Sequence, residues 1–346
     1  MKKVFTLRPQ SGAFSLQLPL CPIVLTLCLF LVMIVLMIVG LSLGSTWVSP
    51  LAIMQYFIGV DVGASTFIIE SLRLPRMLVA LLAGAALGVS GLILQEMVRN
   101  PLASPDIIGI TGGGAVAAVF FITTFSGVLP MSLLPLAAML GSAIVSVLIY
   151  ALAWKEGISP LRLVLIGIGI NAAMSALTTL MIIFSPINSS SQAYVWMTGS
   201  VYGSSWTAVQ QMVPWIGCAM ILALLCARAV HVQQLGEDVA KSLGARIQWQ
   251  RLGMITVSVI LAGVAVAFAG GISFVGLMAP HIARFIIGRS FALLVPTAAI
   301  IGGTMVFVAD VVGRTAFLPL DVPVGVLVSG IGAPFFLYLL YRNRKG

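Results

Sequence analysis

Between Arg162 and Arg228 the chain runs 65 residues without a charged side chain. A helix needs about 20 mostly apolar residues to cross the hydrocarbon core of a bilayer, so this stretch alone has room for two crossings and a connection. Six more charge-free stretches, 9–60, 77–95, 107–154, 252–283, 290–309 and 322–341, measure 52, 19, 48, 32, 20 and 20 residues. Soluble domains carry roughly 25% charged residues. This chain carries 8%, with 18 basic and 9 acidic side chains among 346 residues, too few to cover a water-exposed surface. A soluble enzyme, a disordered protein and a secreted disulfide scaffold are excluded. The fold class is an all-α polytopic membrane protein, a single transmembrane domain over 1–346.

The runs divide into ten spans. After a cytoplasmic N-terminal segment, 1–19, the first strong span falls near 20–43, too long for a signal-peptide core. Run 107–154 breaks into two spans near Gly127 and Pro130. Run 163–227 holds two, separated by the polar stretch Asn188–Gln192 and a short amphipathic segment ending near Trp206. Run 252–283 holds one full span and a Gly/Pro-interrupted one continuing to about Gly288. The other three runs give one span each.

Charge placement orients these spans, because cytoplasmic loops carry the excess of Lys and Arg. With Lys2, Lys3 and Arg8 inside, ten spans return Arg342, Arg344 and Lys345 to the same side. Arg99, Lys155, Arg162, Arg228, Lys241, Arg246, Arg251, Arg284 and Arg289 join them, so 15 of the 18 basic residues are inside. Arg73, Arg76 and Arg314 are the three outside. The net charge of +9 thus reads as loop charge. No dense basic patch accompanies it, and nucleic acid is not an indicated partner.

Shifting the sequence on itself by 179 positions aligns 82–109 with 261–288, with ten of 28 positions identical. Leu82-Ala83-Gly84 meets Leu261-Ala262-Gly263, Pro101 meets Pro280, and Ile107-Ile108-Gly109 meets Ile286-Ile287-Gly288. The copies start at the second and seventh spans, five apart, so they cross in opposite directions. This reads as an inverted repeat of spans 2–5 and 7–10, a recurrent transporter architecture. Small residues four apart, such as Gly84 and Gly88, permit close helix packing.

Three features bear on function. Arg73-Leu-Pro-Arg76 and Arg314 sit on the outer side against the charge rule. They form either local ion pairs, Arg314 with Asp310 and Arg73 with Glu70, or a basic platform for an external partner's carboxylates. The loop 229–250 is the longest cytoplasmic connection. Within Leu235-Gly-Glu-Asp-Val-Ala-Lys-Ser-Leu-Gly244, Glu237 and Asp238 suit a helix N-terminus, Lys241 the last turn and Gly244 the stop. Val239, Ala240 and Leu243 give that helix an apolar face, suited to a groove on another protein. Finally, the chain lacks an engine. No lysine follows a glycine as a phosphate loop requires, no row of intramembrane carboxylates serves ion coupling, and His231 and His281, 50 residues apart, have no metal-ligand spacing. No catalytic residues and no metal site are expected.

Taken together, these residues resemble the FecCD family, permease subunits of bacterial ABC importers for ferric siderophores, haem and vitamin B12. The resemblance runs from about 45 to 341. It rests on Arg73-Leu-Pro-Arg76, Gly84-Ala-Ala-Leu-Gly88, Arg99-Asn-Pro-Leu-Ala-Ser-Pro-Asp106, Gly271-Ile-Ser-Phe-Val-Gly276, Ala279-Pro-His-Ile-Ala-Arg284 and Leu320-Asp-Val-Pro-Val-Gly325.

The resemblance implies a multi-pass protein of the bacterial cytoplasmic membrane. A second permease subunit, identical or paralogous, would complete the pathway. Two cytoplasmic ATPases would bind the ATP and Mg, with no cofactor on this chain. An extracytoplasmic siderophore-binding protein would deliver the iron–siderophore substrate, docking on Arg73, Arg76 and Arg314. Leu235, Gly236, Glu237, Asp238, Val239, Ala240, Leu243 and Gly244 would form the ATPase-coupling helix. Ser159, Pro160 and Leu161 fall in the cytoplasmic gate, where the best-defined family member has small hydroxyl residues. Ferric iron prefers hard oxygen ligands, which the spans scarcely offer, so the cargo is expected as an already coordinated complex. Asn171, Ser175, Thr178 and Thr179 are candidate pathway residues, with helix packing as their alternative use. Cobalamin or haem is the alternative cargo, and an ion-coupled secondary transporter the alternative of a different class.

Overall fold

The structure, a computed structural model, describes residues 4–7, 16–155, 157, 159–234 and 236–343. Lys2, Lys3, Arg8, Leu235, Arg344 and Lys345 lie outside the described residues, as does the side chain of Arg342. The N-terminal segment contains an antiparallel hairpin, β1 (Val4–Leu7) with β2 (Leu16–Pro19). The rest is helical. In order come α1 (Leu20–Ser42), α2 (Pro50–Phe57), α3 (Ala64–Phe67), α4 (Leu74–Val98), α5 (Pro105–Ile108), α6 (Ile110–Phe125), α7 (Leu134–Ala153) and α8 (Pro160–Ile183). They are followed by α9 (Ile187–Met197), α10 (Trp206–Leu225), α11 (Ala227–Gln234), α12 (Glu237–Ser242), α13 (Ile247–Ala269), α14 (Val275–Ile287), α15 (Phe291–Thr315) and α16 (Val324–Asn343). A π-helical turn, Ile68–Arg73, joins α3 to α4.

Among the described residues, eight helical stretches are long and apolar enough to cross a membrane, and α6 and α14 are apolar but shorter. Together they occupy the ten expected positions. Two local details are added. The polar stretch Asn188–Gln192, which separates two spans as expected, is itself helical within α9, and α13 starts at Ile247, drawing the end of the 229–250 loop into a helix.

Helix α4 is the centre. It is buried on nearly every side because α10, α13, α14 and α15 surround it, and a helix apolar all round belongs in such a position. Small residues let its neighbours approach. A Cβ on Gly84 would overlap the Gly302 carbonyl, and one on Gly91 would overlap the Gly276 carbonyl. The seam that Gly84 and Gly88 imply is therefore present, against α15.

The inverted repeat is visible in which helices touch. The packing of α4 on α15 is matched by α13 on α7, and α4 on α14 by α13 on α6. Likewise α6–α7 matches α14–α15, α7–α8 matches α15–α16, and α6–α8 matches α14–α16. The repeated units are spans 2–5 and 7–10, but the offset of 179 is not their structural register. It sets Gly91, inside α4, opposite Gly270, which ends α13, and Pro101, in a loop, opposite Pro280, inside α14. Helix ends correspond at a smaller offset, Val98 with Ala269. The match at 179 reflects shared Gly/Ala composition slid about two turns along the helix.

The two ends of α4 also separate the charges as the threading requires. Arg76, Asp310, Asp321 and Arg314 meet at its start, while Glu96, Arg99 and Arg284 gather at its finish. The C-terminus of α1 is at the first end, held by Arg73 and Arg314.

Candidate functional site

At the outer end the three arginines come together as the interior of a network. Arg73 closes the π-helical turn and is buried. Its Nη1 donates to the carbonyls of Leu41 at 2.6 Å and Ser42 at 3.1 Å, and its Nη2 donates to the Thr46 carbonyl. Gly44 leaves room for this guanidinium, which a Cβ there would strike. Arg314 Nη2 donates to the Gly40 carbonyl at 2.6 Å. Gly40, Leu41 and Ser42 are the last residues of α1, whose terminal carbonyls have no partner inside the helix. Val39 completes the set, since its carbonyl accepts from Leu43 N at 3.1 Å. Two arginines thus cap α1, where the helix dipole also favours positive charge.

Arg76 is the hub for carboxylates. Its Nε donates to Asp310 at 2.8 Å, and Nη1 and Nη2 grip both oxygens of Asp321 at 2.6 and 2.8 Å. Asp310 is 1% exposed and also faces Arg314 Nε at 3.7 Å. The expected Arg314–Asp310 pair is present, but it is the longer of the two contacts to that carboxylate. Glu70 makes no ion pair with Arg73 among the described residues; its carbonyl accepts from Trp206 Nε1. The Arg76 guanidinium lies 5.5 Å from the exposed ring of Tyr202. An open basic platform is not what the geometry offers, because the cationic groups are largely committed to partners within the chain.

At the inner end α12 has the expected signals. Gly236 precedes it with φ 113°, Glu237 and Asp238 occupy the first turn, Lys241 the last, and Gly244 follows with φ 80°. The expected apolar face divides in two. Ala240 is buried, whereas Val239 and Leu243 are 47% and 64% exposed and lie one turn apart. Trp249, on the first turn of α13, is also exposed, at 72%. Glu237 belongs to the inner side, pairing with Arg251 of α13 at 3.1 Å and Lys241 at 3.5 Å. Partial burial alone would raise its carboxyl, but these two cations hold it below the usual carboxylate range.

Ser159 and Pro160 begin α8 at its inner end, and Leu161 projects outward. Along α8, Asn171 packs beside Gly112, and Ser175 and Thr179 are exposed, one turn apart. Thr178 is a correction: it is buried against the bundle, its hydroxyl donating to the Met174 carbonyl at 2.8 Å. Among the described residues no three His, Cys, Asp or Glu side chains gather as a metal site. His281 stacks edge-on against Phe335 at 6.0 Å.

Sequence reasoning passed over Glu96, which pairs with Arg284 at 3.2 Å, and gave no role to Asp321 although it quoted the surrounding motif. Both acids break a long apolar run, the signal that an intramembrane or boundary charge has a partner.

Residues 31–342 match the sequence model of the FecCD transport family. The chain is 45% identical over 335 residues to the achromobactin transport system permease protein CbrC of Dickeya dadantii, covering 97% of this chain and 96% of that one. It is 37% identical over 327 residues to the iron(3+)-hydroxamate import system permease protein FhuG of Bacillus subtilis, covering 93% and 97%. It is 36% identical over 306 residues to the ferric enterobactin transport system permease protein FepG of Escherichia coli, covering 88% and 92%. Among solved structures, an inward-facing conformation of a metal-chelate type ABC transporter superposes with a TM-score of 0.82 at 29% identity, covering 92% of this chain and 98% of that one.

Proposed function

The chain belongs to the FecCD transport family, and from that premise we propose that it is the permease subunit of an ATP-binding-cassette importer for an iron(III)–siderophore complex. The observation that carries this reading is agreement along nearly the full length with permeases of three iron-chelate systems. The physical chemistry fits. A chelated ion already has its hard oxygen donors, so a wall of hydroxyls and apolar side chains such as Ser175 and Thr179 on α8 serves it. Alternating access moves the complex across the cytoplasmic membrane, between this chain and a second permease subunit.

ATP and Mg belong to two cytoplasmic ATPases, which act through α12. The outward Val239 and Leu243, one turn apart, support that contact, with Glu237 tethering the helix to α13 so that force on it reaches a span. Ser159, Pro160 and Leu161 stand where the inner gate closes. The siderophore-binding protein docks at the outer end around Arg76, Asp321 and Tyr202, supported from within by Arg73 and Arg314. Uptake of radiolabelled iron, supplied with a panel of siderophores to cells lacking and regaining this chain, tests the reading. One or more ferric siderophores should depend on the chain; dependence of labelled cobalamin or haem uptake alone would overturn the cargo.

A further inference from the structure

A polar cavity of about 580 Å³ opens at the inner end of α4. Glu96 and Arg99 enter it from the end of α4, and Arg284 and Arg289 from the end of α14 and the turn after it. Glu96 is already neutralised. Arg284 holds it at 3.2 Å while donating from Nη1 to the Gln95 side chain at 2.6 Å, and Gln234 donates to its other oxygen at 3.0 Å. The remaining two cations have no acid among the described residues. Arg99 donates from Nη2 to the Gln233 carbonyl at 2.6 Å, leaving most of its five N–H groups uncommitted. Arg289 is exposed, has no ion-pair partner among the described residues, and repels Arg284. One carboxylate against three guanidiniums leaves an excess of two positive charges around a space large enough for a tetrahedral oxyanion.

We propose that this cavity binds a phosphate group at the inner surface of the membrane. Guanidinium N–H pairs match phosphate oxygens in a bidentate geometry, and basic pockets at the cytoplasmic ends of membrane helices hold anionic headgroups. The phosphate has two possible sources, an anionic phospholipid headgroup and free phosphate in the cytoplasm.

The test uses the full chain purified in detergent. Native mass spectrometry measures retention of dioleoylphosphatidylglycerol against dioleoylphosphatidylcholine, and the thermal midpoint is followed with inorganic phosphate alone. Preferential retention of phosphatidylglycerol assigns the lipid source; a rise in midpoint with phosphate but no lipid preference assigns the free anion. Arg289→Gln removes an exposed, unpaired charge and should leave the fold intact. It should weaken whichever ligand binds by about fivefold, as should Arg99→Gln. The proposal falls if neither probe binds, or if both variants bind like the parent. It also falls if the variants lose only co-purification of a cytoplasmic protein, for the charges would then face that protein.

Discussion

Ser90 and Ser258 meet back to back where α4 crosses α13. Ser90 Oγ lies 2.9 Å from the Ser258 carbonyl, Ser258 Oγ 3.2 Å from the Ser90 carbonyl, and the hydroxyls are 2.7 Å apart. Reciprocal contacts of this kind lock the first helix of one half against the first helix of the other. Both serines are fully buried, so neither has water to fall back on. Ser90→Ala or Ser258→Ala should each cost about 0.6–1 kcal/mol. The double variant should cost less than their sum, measured by thermal unfolding in detergent. Ser90→Leu, which forces the helices apart, should prevent accumulation of folded protein.

Arg73→Gln should destabilise the chain by about 3 kcal/mol or more, because it uncaps the end of α1 at a buried site. Arg73→Lys should rescue little of this, since an ammonium cannot reproduce the planar fork that reaches Leu41, Ser42 and Thr46 together. Thermal melts of both variants, compared before any binding-protein assay, separate this capping role from docking.

Arg76→Ala leaves the buried Asp310 carboxylate with only the longer Arg314 contact and should be among the most damaging single changes at the outer end. Arg76→Ala combined with Asp310→Ala should regain part of the folded yield. Asp321→Asn, at the half-exposed partner, should hardly alter the yield but should change the affinity of the binding protein. Unaltered affinity would move docking away from this arginine.

Val239→Asp and Leu243→Asp should reduce ATPase co-purification at least tenfold, as loss of central apolar anchors does, with little change in melting temperature. Ala240→Leu acts from the opposite face, pushing α12 off the bundle.

The Glu237–Arg251 tether gives α12 a pH dependence. The folded carboxyl is held below its ordinary range, so its stabilising contribution is fully present above the unfolded glutamate value, about 4.3. It is lost as pH falls below that value. Hydrogen exchange across 237–242 should accelerate there, and Glu237→Gln should remove the step.

The spans and their ends were legible because membrane crossing depends on apolar length and on counts of Lys and Arg, both local properties of sequence. The interior was not. Arg73 is bound to backbone carbonyls, which every residue possesses, so no pattern advertised its role. Asp321 and Glu96 find Arg76 and Arg284 across separations of 245 and 188 residues, and spacing rules reach only a few positions. The α12 helix shows both sides of this. Its caps were readable from Glu237, Asp238 and Gly244, while the division of its apolar face depended on α13.

The arginine cap on α1 also dictates an order of assembly. Gly40 and Arg314 are 274 residues apart, which at 5–20 residues per second is roughly 14–55 s of synthesis. Until the ninth span emerges, the first helix sits in the bilayer with its outer end unfinished. Closure of that cap is therefore a late event, and a chain truncated before Arg314 should leave α1 exposed to membrane proteases that ignore the completed protein.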